Sequence, residues 1–300
     1  ERVEAFLDQV LSLENLIDPY LPLRALMQQK GAAPSFATGP DYEPAWGQGG
    51  TFDVLGFLAD DRRMGARLAD WQREIVRVVR AEAYYFQPQR MTKIMNEGWA
   101  SFWHARMLTG GVLDSSEIVD FADCHSAATL SAPGRLNPSR LGIELFRYAE
   151  ETGRDLWRLR RIHNDATFVD ELVDETFCER QLMFLFDKNA RSGRTEIAER
   201  DWQSVKRRLL LDLSWGGMPQ IALVGVDRQA EGELELEHRH DGRDLELEQA
   251  GLTLARLAAL WGAPVHLRTQ EEGQGRLLKC SADGRVEVID TSDPPAPAEE

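Results

Sequence analysis

The spacing of apolar residues changes its period near residue 200, and this change limits the chain to few architectures. Before that point, apolar side chains recur at helical intervals, as at Leu68, Trp71 and Ile75. Beyond it, Glu233–His238 alternates polar and apolar residues with a period of two, which is typical of a half-buried strand. We therefore expect a mainly α N-terminal domain followed by a small α+β domain.

Gly, Pro and helix-capping residues set the limits of the individual elements. Helices are predicted at approximately Met64–Ala83, Thr92–Leu108, Ile118–His125, Ser139–Glu151, Leu156–His163, Phe168–Phe177, Trp202–Leu213 and Leu247–Trp261. Strands are predicted at Gln220–Val226, Glu233–His238, Val265–Thr269, Arg276–Cys280 and Val286–Ile289. The first of these helices is expected to break at Gln87–Pro88, and Thr92 is expected to cap the second. The order of elements after residue 200 predicts an antiparallel sheet.

These patterns divide the chain into a helical domain over residues 1–195, an α+β domain over 200–290 and a disordered tail over 291–300. An irregular loop is predicted at Gly31–Gly50, where Gly, Pro, Ala and Ser dominate. The chain opens at Glu1, inside a helical pattern and without an initiator Met. We therefore expect the natural protein to begin earlier.

The balance of charges and cysteines restricts the class of partner. The chain has 35 Lys and Arg residues against 50 Asp and Glu, which gives a net charge of −15. A field of this sign repels phosphate backbones and anionic lipids, which argues against nucleic acid or a membrane surface as a partner. No apolar run approaches the roughly 20 residues that a membrane helix needs. The three cysteines form no Cys-x-x-Cys pair, which suits a reducing cytoplasm.

The most specific chemical pattern lies in the run Asn96–Ala100, which reads Asn-Glu-Gly-Trp-Ala. Glu97 and His104 are seven residues apart, close to two helical turns, so we expect them on one face about 10 Å apart along the axis. Gly98 costs roughly 1 kcal/mol relative to Ala inside a helix. Its presence therefore needs a reason, such as the close approach of another backbone or of a ligand.

The sequence around Glu97 favours a metal-binding carboxylate. Its neighbours are large and apolar, namely Met95, Trp99, Phe102 and Trp103. We therefore expect Glu97 to be buried, and a buried carboxylate needs a cation or hydrogen-bond donors. Zinc accepts imidazoles and a carboxylate and keeps a further position for water. A solvated or ion-paired Glu is the simpler alternative.

Two histidines are candidate additional metal ligands, and a structural role is the alternative for both. His104 lies on the helix of Glu97, and His125 is expected to line the same cavity as His104. No His-x-x-x-His pair occurs in the chain. His238 and His240 are predicted on an exposed polar face of a strand, and His266 is predicted to be an ordinary sheet residue.

Several segments, spread over almost the whole chain, carry a family resemblance. The two longest are Ala81–Gln89 and Thr92–His104. The others are Asp53–Leu58, Leu136–Pro138, Leu141–Phe146, Arg161–Asp165, Thr167–Phe168, Leu260–Gly262 and Pro264–Val265. Together these segments are similar to the stage V sporulation protein R (SpoVR) family.

The resemblance implies a bacterial cytoplasmic protein linked to the spore cortex or to other cell-envelope or stress functions. Members of the family carry, upstream, a His-x-x-x-His segment similar to the first helix of a zincin. The Asn-Glu-x-x-Ala pattern around Glu97 resembles the helix that supplies the third ligand in gluzincin metallopeptidases. The resemblance therefore implies a zincin-like helical part, in which Glu97 binds a divalent metal such as zinc with other ligands outside this chain.

Two functional hypotheses follow from the residues and the resemblance. The first is a zincin-like metalloprotein, peptidase-like or amidase-like, although no general base is identified and its loss costs about 10²–10⁴-fold in rate. The second is a non-catalytic scaffold or regulatory partner of a serine protein kinase. The resemblance implies that kinase and a von Willebrand A-like protein as partners, because they are commonly encoded beside family members.

Overall fold

A computed structural model describes residues 2–22, 51–59, 68–130, 136–188, 193–227 and 232–291. The chain divides into two compact units, one formed by Glu1–Gln87 with Met218–Glu300 and the other by Pro88–Gly217. The predicted loop at Gly31–Gly50 and the predicted tail after residue 291 lie outside the described residues. The division into residues 1–195 and 200–290 concerns the order of elements along the sequence and stays a prediction.

The described residues form eleven α-helices, and all but one of them lie before residue 217. In chain order they are α1 (Arg2–Leu11), α2 (Val54–Ala59), α3 (Asp70–Arg90), α4 (Lys93–Met107), α5 (Glu117–Ala128), α6 (Pro138–Glu151), α7 (Leu156–Ile162), α8 (Asp165–Leu172), α9 (Glu175–Arg180), α10 (Trp202–Leu213) and α11 (Leu247–Trp261). A π-helical turn at Leu108–Val112 follows α4, and a 3-10 turn at Ser214–Gly217 follows α10. Among the described residues, none of the helices combines the length and the apolarity needed to cross a membrane.

The core of the 88–217 unit forms where α4, α6, α8, α9 and α10 pack their apolar faces together. Phe146, Phe168 and Phe177 are fully buried there, and burial of aromatic side chains supplies a large part of the stabilisation of such a core. Asx side chains begin most of the helices: Asn137 caps α6 and Asp201 caps α10 by accepting backbone N–H bonds.

The structure differs from the predicted helices in three details of this region. Helix α3 continues through Pro88 to Arg90, because a proline in the last turn removes only one backbone hydrogen bond. Thr92 precedes the first residue of α4 as predicted, but its side chain does not cap the helix, because its hydroxyl donates to the carbonyl of Pro88 at 2.7 Å. The predicted helix at Phe168–Phe177 is likewise two helices, because Asp174 is extended and accepts the backbone N–H of Phe177.

The larger sheet contains strands β3 (Ile221–Asp227), β4 (Glu233–His238), β5 (Val265–Glu271), β6 (Gln274–Cys280) and β7 (Val286–Thr291), paired in that order. The prediction of an antiparallel sheet is wrong at one pairing, because β4 and β5 are parallel and the sheet is mixed. Helix α11 connects these two strands, and such a crossover returns the chain to the same end of the sheet. The other pairings are antiparallel.

The N-terminal residues of the chain belong to the same unit as this sheet. Thr51 and Leu223 of β3 exchange backbone hydrogen bonds of 2.9 and 2.8 Å. Phe57 of α2 packs against Trp261 of α11 with ring centroids 5.6 Å apart. The unit is therefore assembled from two separated stretches of sequence.

A second, two-stranded sheet was not predicted. Strands β1 (Leu185–Lys188) and β2 (Thr195–Glu199) pair antiparallel within the 88–217 unit. Both strands are short, and apolar residues do not alternate regularly along them. A periodicity argument therefore has too little signal to find this hairpin.

Candidate functional site

Helices α4 and α6 cross at a pair of glycines, Gly98 and Gly142. A Cβ atom added to Gly98 would lie 2.8 Å from the carbonyl oxygen of Gly142 and closer still to its carbon atoms. A Cβ added to Gly142 would lie 2.6 Å from the Cα of Gly98. Of the two reasons expected for Gly98, another backbone or a ligand, the structure shows the first.

This crossing brings Glu97 of α4 next to the first turn of α6. The Ser139 hydroxyl donates to Oε2 of Glu97 at 2.7 Å, and Nζ of Lys93 lies 3.9 Å from Oε1. The Glu97 side chain is 39% exposed, so the prediction that it is buried is wrong. The reason is its position on the helix: Met95 and Phe102 face the core, whereas Glu97 lies beside that face.

Asn96, the neighbour of Glu97, connects α4 to a different helix. Its Oδ1 accepts a hydrogen bond of 2.6 Å from Arg160 on α7, and its Nδ2 donates to the Thr92 hydroxyl at 3.0 Å. Asn96 and Glu97 therefore hold α4 against α7 and α6 through polar contacts at the rim of the core. The two side chains have fixed orientations as a result.

The beginning of α4 is capped from outside by Asp165, the first residue of α8. Its two carboxylate oxygens accept the backbone N–H groups of Ile94 and Met95 at 2.8 and 2.9 Å. Burial raises the pKa of Asp165, and the bonds from these backbone N–H groups act in the opposite direction. Sequence reasoning missed this role, because the two partners are about 70 residues apart and no local pattern connects them.

Aromatic side chains lie between α4 and α7. Trp157 of α7 contacts both Trp99 and Trp103, with ring centroids 4.9 and 5.9 Å apart. Trp157 is nevertheless largely exposed, whereas Nε1 of Trp103 is buried and has no hydrogen-bond partner among the described residues. These ring contacts pack α7 against the helix that carries Glu97.

The structure brings the two candidate histidines to one aromatic ring. His104 contacts Phe121 edge-on at 5.7 Å between ring centroids, and His125 stacks on Phe121 at 5.5 Å. His104 is exposed and His125 is partly buried. In the part of the chain that the structure describes, no group of three or more His, Cys, Asp or Glu residues is arranged to hold a metal ion.

Comparison with known families accounts for most of the chain. A family described as "SpoVR like protein" matches residues 47–218, and one described as "SpoVR-like C-terminal domain" matches residues 219–272. The chain belongs to the SpoVR family. Glu97, Ser139 and Asp165 all lie in the first SpoVR match, which ends next to the boundary of the 88–217 unit.

A curated relative supports the same assignment. The chain is 25% identical over 265 residues to "Uncharacterized protein YcgB" of Escherichia coli (strain K12), which covers 76% of this chain and 49% of that protein. The chain thus spans about half the length of the curated relative that it matches. No solved structure matches the chain.

The SpoVR-like C-terminal domain contains a second polar cluster, at the end of β4. His238 is 1% exposed, so the prediction that it lies on an exposed strand face is wrong. Its Nδ1 is hydrogen-bonded to the Thr269 hydroxyl at 2.9 Å. Burial, followed by the charge of His240, lowers the pKa of His238 to about 4, so the ring is neutral at physiological pH.

His240, in the same cluster, has both ring nitrogens engaged. Nε2 bonds to the Asp244 carboxylate at 2.8 Å, and Nδ1 accepts from the backbone N–H of Gly242 and from the side chain of Gln270. Both hydrogen-bonding positions of this imidazole are therefore used. These hydrogen bonds link β4, β5 and the loop before α11, so we interpret the cluster as structural.

Proposed function

We propose that this SpoVR-family protein binds a divalent metal and that Glu97 supplies one carboxylate ligand. The observation that supports this is the contact between Ser139 and Glu97. A hydroxyl that donates to one carboxylate oxygen fixes the orientation of the group and leaves its other oxygen for a cation. The only cation near that second oxygen is Lys93 among the described residues, at 3.9 Å and exposed.

The donor set around Glu97 fits a metal only in part. A carboxylate oxygen suits zinc and harder divalent ions, but one ligand does not make a site, so a complete site needs further ligands besides Glu97. His104 and His125 are the further candidates that this chain offers. When bound, the metal would polarise a carbonyl group or activate a water molecule, as in zincin-like peptidases and amidases.

The metal content of the natural protein tests this proposal. We expect stoichiometric metal by elemental analysis, loss of that metal in Glu97→Gln, and about 10- to 100-fold weaker binding in Ser139→Ala. Glu171→Gln is the matched control, because Glu171 is also 39% exposed and paired with a cation, Arg154. A natural protein without metal, or a Glu97→Gln variant that retains all of it, would exclude a metal role for Glu97.

A non-catalytic scaffold is the second candidate function, as a regulatory partner of a serine protein kinase. The observation that favours it is that Asn96 and Glu97 each bond to a neighbouring helix, through Arg160 and Ser139. Such pairs stabilise a fold by about 1 kcal/mol each, whether or not a metal binds. The scaffold hypothesis predicts that Glu97→Gln lowers the free energy of unfolding and weakens capture of the kinase. It also predicts that the unmodified protein contains no metal.

A further inference from the structure

Large apolar side chains are exposed over one short stretch of the 88–217 unit. They are Met107, Val112, Ile118, Val119 and Leu130, which we call the 107–130 surface. Val119, on α5, is 64% exposed. Single exposed apolar residues are normal on protein surfaces, whereas exposed apolar residues that adjoin one another, as Ile118 and Val119 do, are typical of interaction sites.

Helix α5, in the middle of this surface, is attached to the rest of the unit by few contacts. None of its residues is buried. Phe121 contacts His104 at one end, and the Asn137 side chain donates to the carbonyls of Ala128 and Leu130 at the other. An isolated helix of about 12 residues is only marginally stable in water, so the helix would gain stability from a partner on its open side.

The charges on α5 indicate the chemistry of that partner. Asp120 and Asp123 have neither an ion pair nor a hydrogen bond to their side chains in the described residues. Unpaired carboxylates beside exposed apolar side chains complement a surface that is both basic and apolar. A second copy of the chain fits poorly, because each copy carries a net charge of −15.

We propose that the 107–130 surface docks a basic amphipathic helix from a partner protein. The apolar face of the incoming helix lies against Ile118 and Val119, and its Lys or Arg side chains pair with Asp120 and Asp123. In this mode of recognition a few apolar anchors supply affinity and the charged residues around them supply specificity. The inference does not depend on metal binding at Glu97.

A synthetic peptide of about 18 residues, long enough to form a helix, serves as the probe. It has leucine on one face and lysine on the other, and a second peptide has glutamate in place of lysine. Cys124 on α5 is exposed, whereas Cys178 and Cys280 are buried, so modification of Cys124 by a thiol reagent reports on this helix alone. We expect the lysine peptide to bind and to slow modification of Cys124, and the glutamate peptide to do neither.

Substitutions identify the site where the lysine peptide binds. They also distinguish specific binding from a general attraction of a basic peptide to an acidic protein. Val119→Lys is expected to weaken binding of the lysine peptide about tenfold. Leu252→Lys, at an exposed apolar residue of α11, adds the same charge elsewhere and is expected to leave the affinity unchanged. Asp120→Asn combined with Asp123→Asn is expected to reduce both the affinity and its salt dependence.

Three results would overturn the proposal. One is equal binding of the lysine and glutamate peptides, and another is unchanged affinity in Val119→Lys. The third is self-association of the unmodified protein, detected by sedimentation, that Val119→Lys abolishes, because this would assign the surface to a second copy of the chain.

Discussion

The α4–α6 crossing and helix α5 are neighbours in sequence but opposite in how they are packed. At the crossing, two backbones meet so closely that no Cβ fits at Gly98 or Gly142. Helix α5 has no buried residue at all. The difference indicates that the α4–α6 crossing has no room for a further group, whereas α5 presents a surface that another element can cover. Substitutions should therefore be costly at the crossing and tolerated on α5.

The largest effect is expected from Gly98→Ala. The new methyl group would overlap backbone atoms of α6, which cannot move aside as a side chain could, so we expect a loss of about 3 kcal/mol in the free energy of unfolding. Gly110→Ala is the control, because nothing lies within 4 Å of a Cβ there. Equal urea denaturation midpoints for the two variants would show that the crossing is not tight.

A somewhat smaller effect is expected from Asp165→Ala. The substitution leaves the N–H groups of Ile94 and Met95 buried without an acceptor, which should cost about 2–3 kcal/mol. Asp155→Ala removes a similar cap from α7, where water can replace it, and should cost about 1 kcal/mol. If thermal unfolding gives the same loss for both, then burial does not set the strength of the Asp165 cap.

The same contrast between buried and exposed positions extends to the histidines and predicts a pH dependence. Folding lowers the pKa of His238 from 6.5 to about 4, so its contribution to stability is present above pH 6.5 and is lost as the pH falls toward 4. We expect His238→Gln to flatten the decrease in unfolding free energy over this range. An unchanged slope in His238→Gln would contradict the burial argument.

The smallest effect is expected from Val119→Ala on α5. Because Val119 is exposed, we expect the free energy of unfolding to change by no more than about 0.5 kcal/mol. Val169→Ala makes the same change at a fully buried position of α8 and should cost about 2 kcal/mol. Chemical denaturation compares the two, and a loss at Val119 that matches Val169 would mean that α5 is already covered in the isolated chain.

Local signals predicted the helices well. Helices α10 and α11 begin and end at the predicted residues, because Asp201 caps one and Gly262, at φ 74°, ends the other. The close approach of another element to Gly98 could also be inferred from the sequence, because glycine is costly inside a helix. Each of these features depends on residues within a few positions of one another.

Contacts between distant residues could not be predicted in the same way. The parallel pairing of β4 with β5, the burial of His238 and the capping of α4 by Asp165 all depend on how separate segments meet. The exposure of Glu97 belongs to this group as well, because apolar neighbours in the sequence did not lie on the same side of the helix. The assignment of metal ligands stays a prediction for the same reason.

The pairing of Thr51 with Leu223 has a consequence for the order in which the protein forms during synthesis. The two residues are separated by roughly 170 positions, and closing so large a loop is entropically costly. The whole 88–217 unit leaves the ribosome before any strand of the larger sheet exists, and domains tend to fold as they emerge. We therefore expect Thr51 to find its partner only after β3 has been translated, so that this unit is completed later than the 88–217 unit.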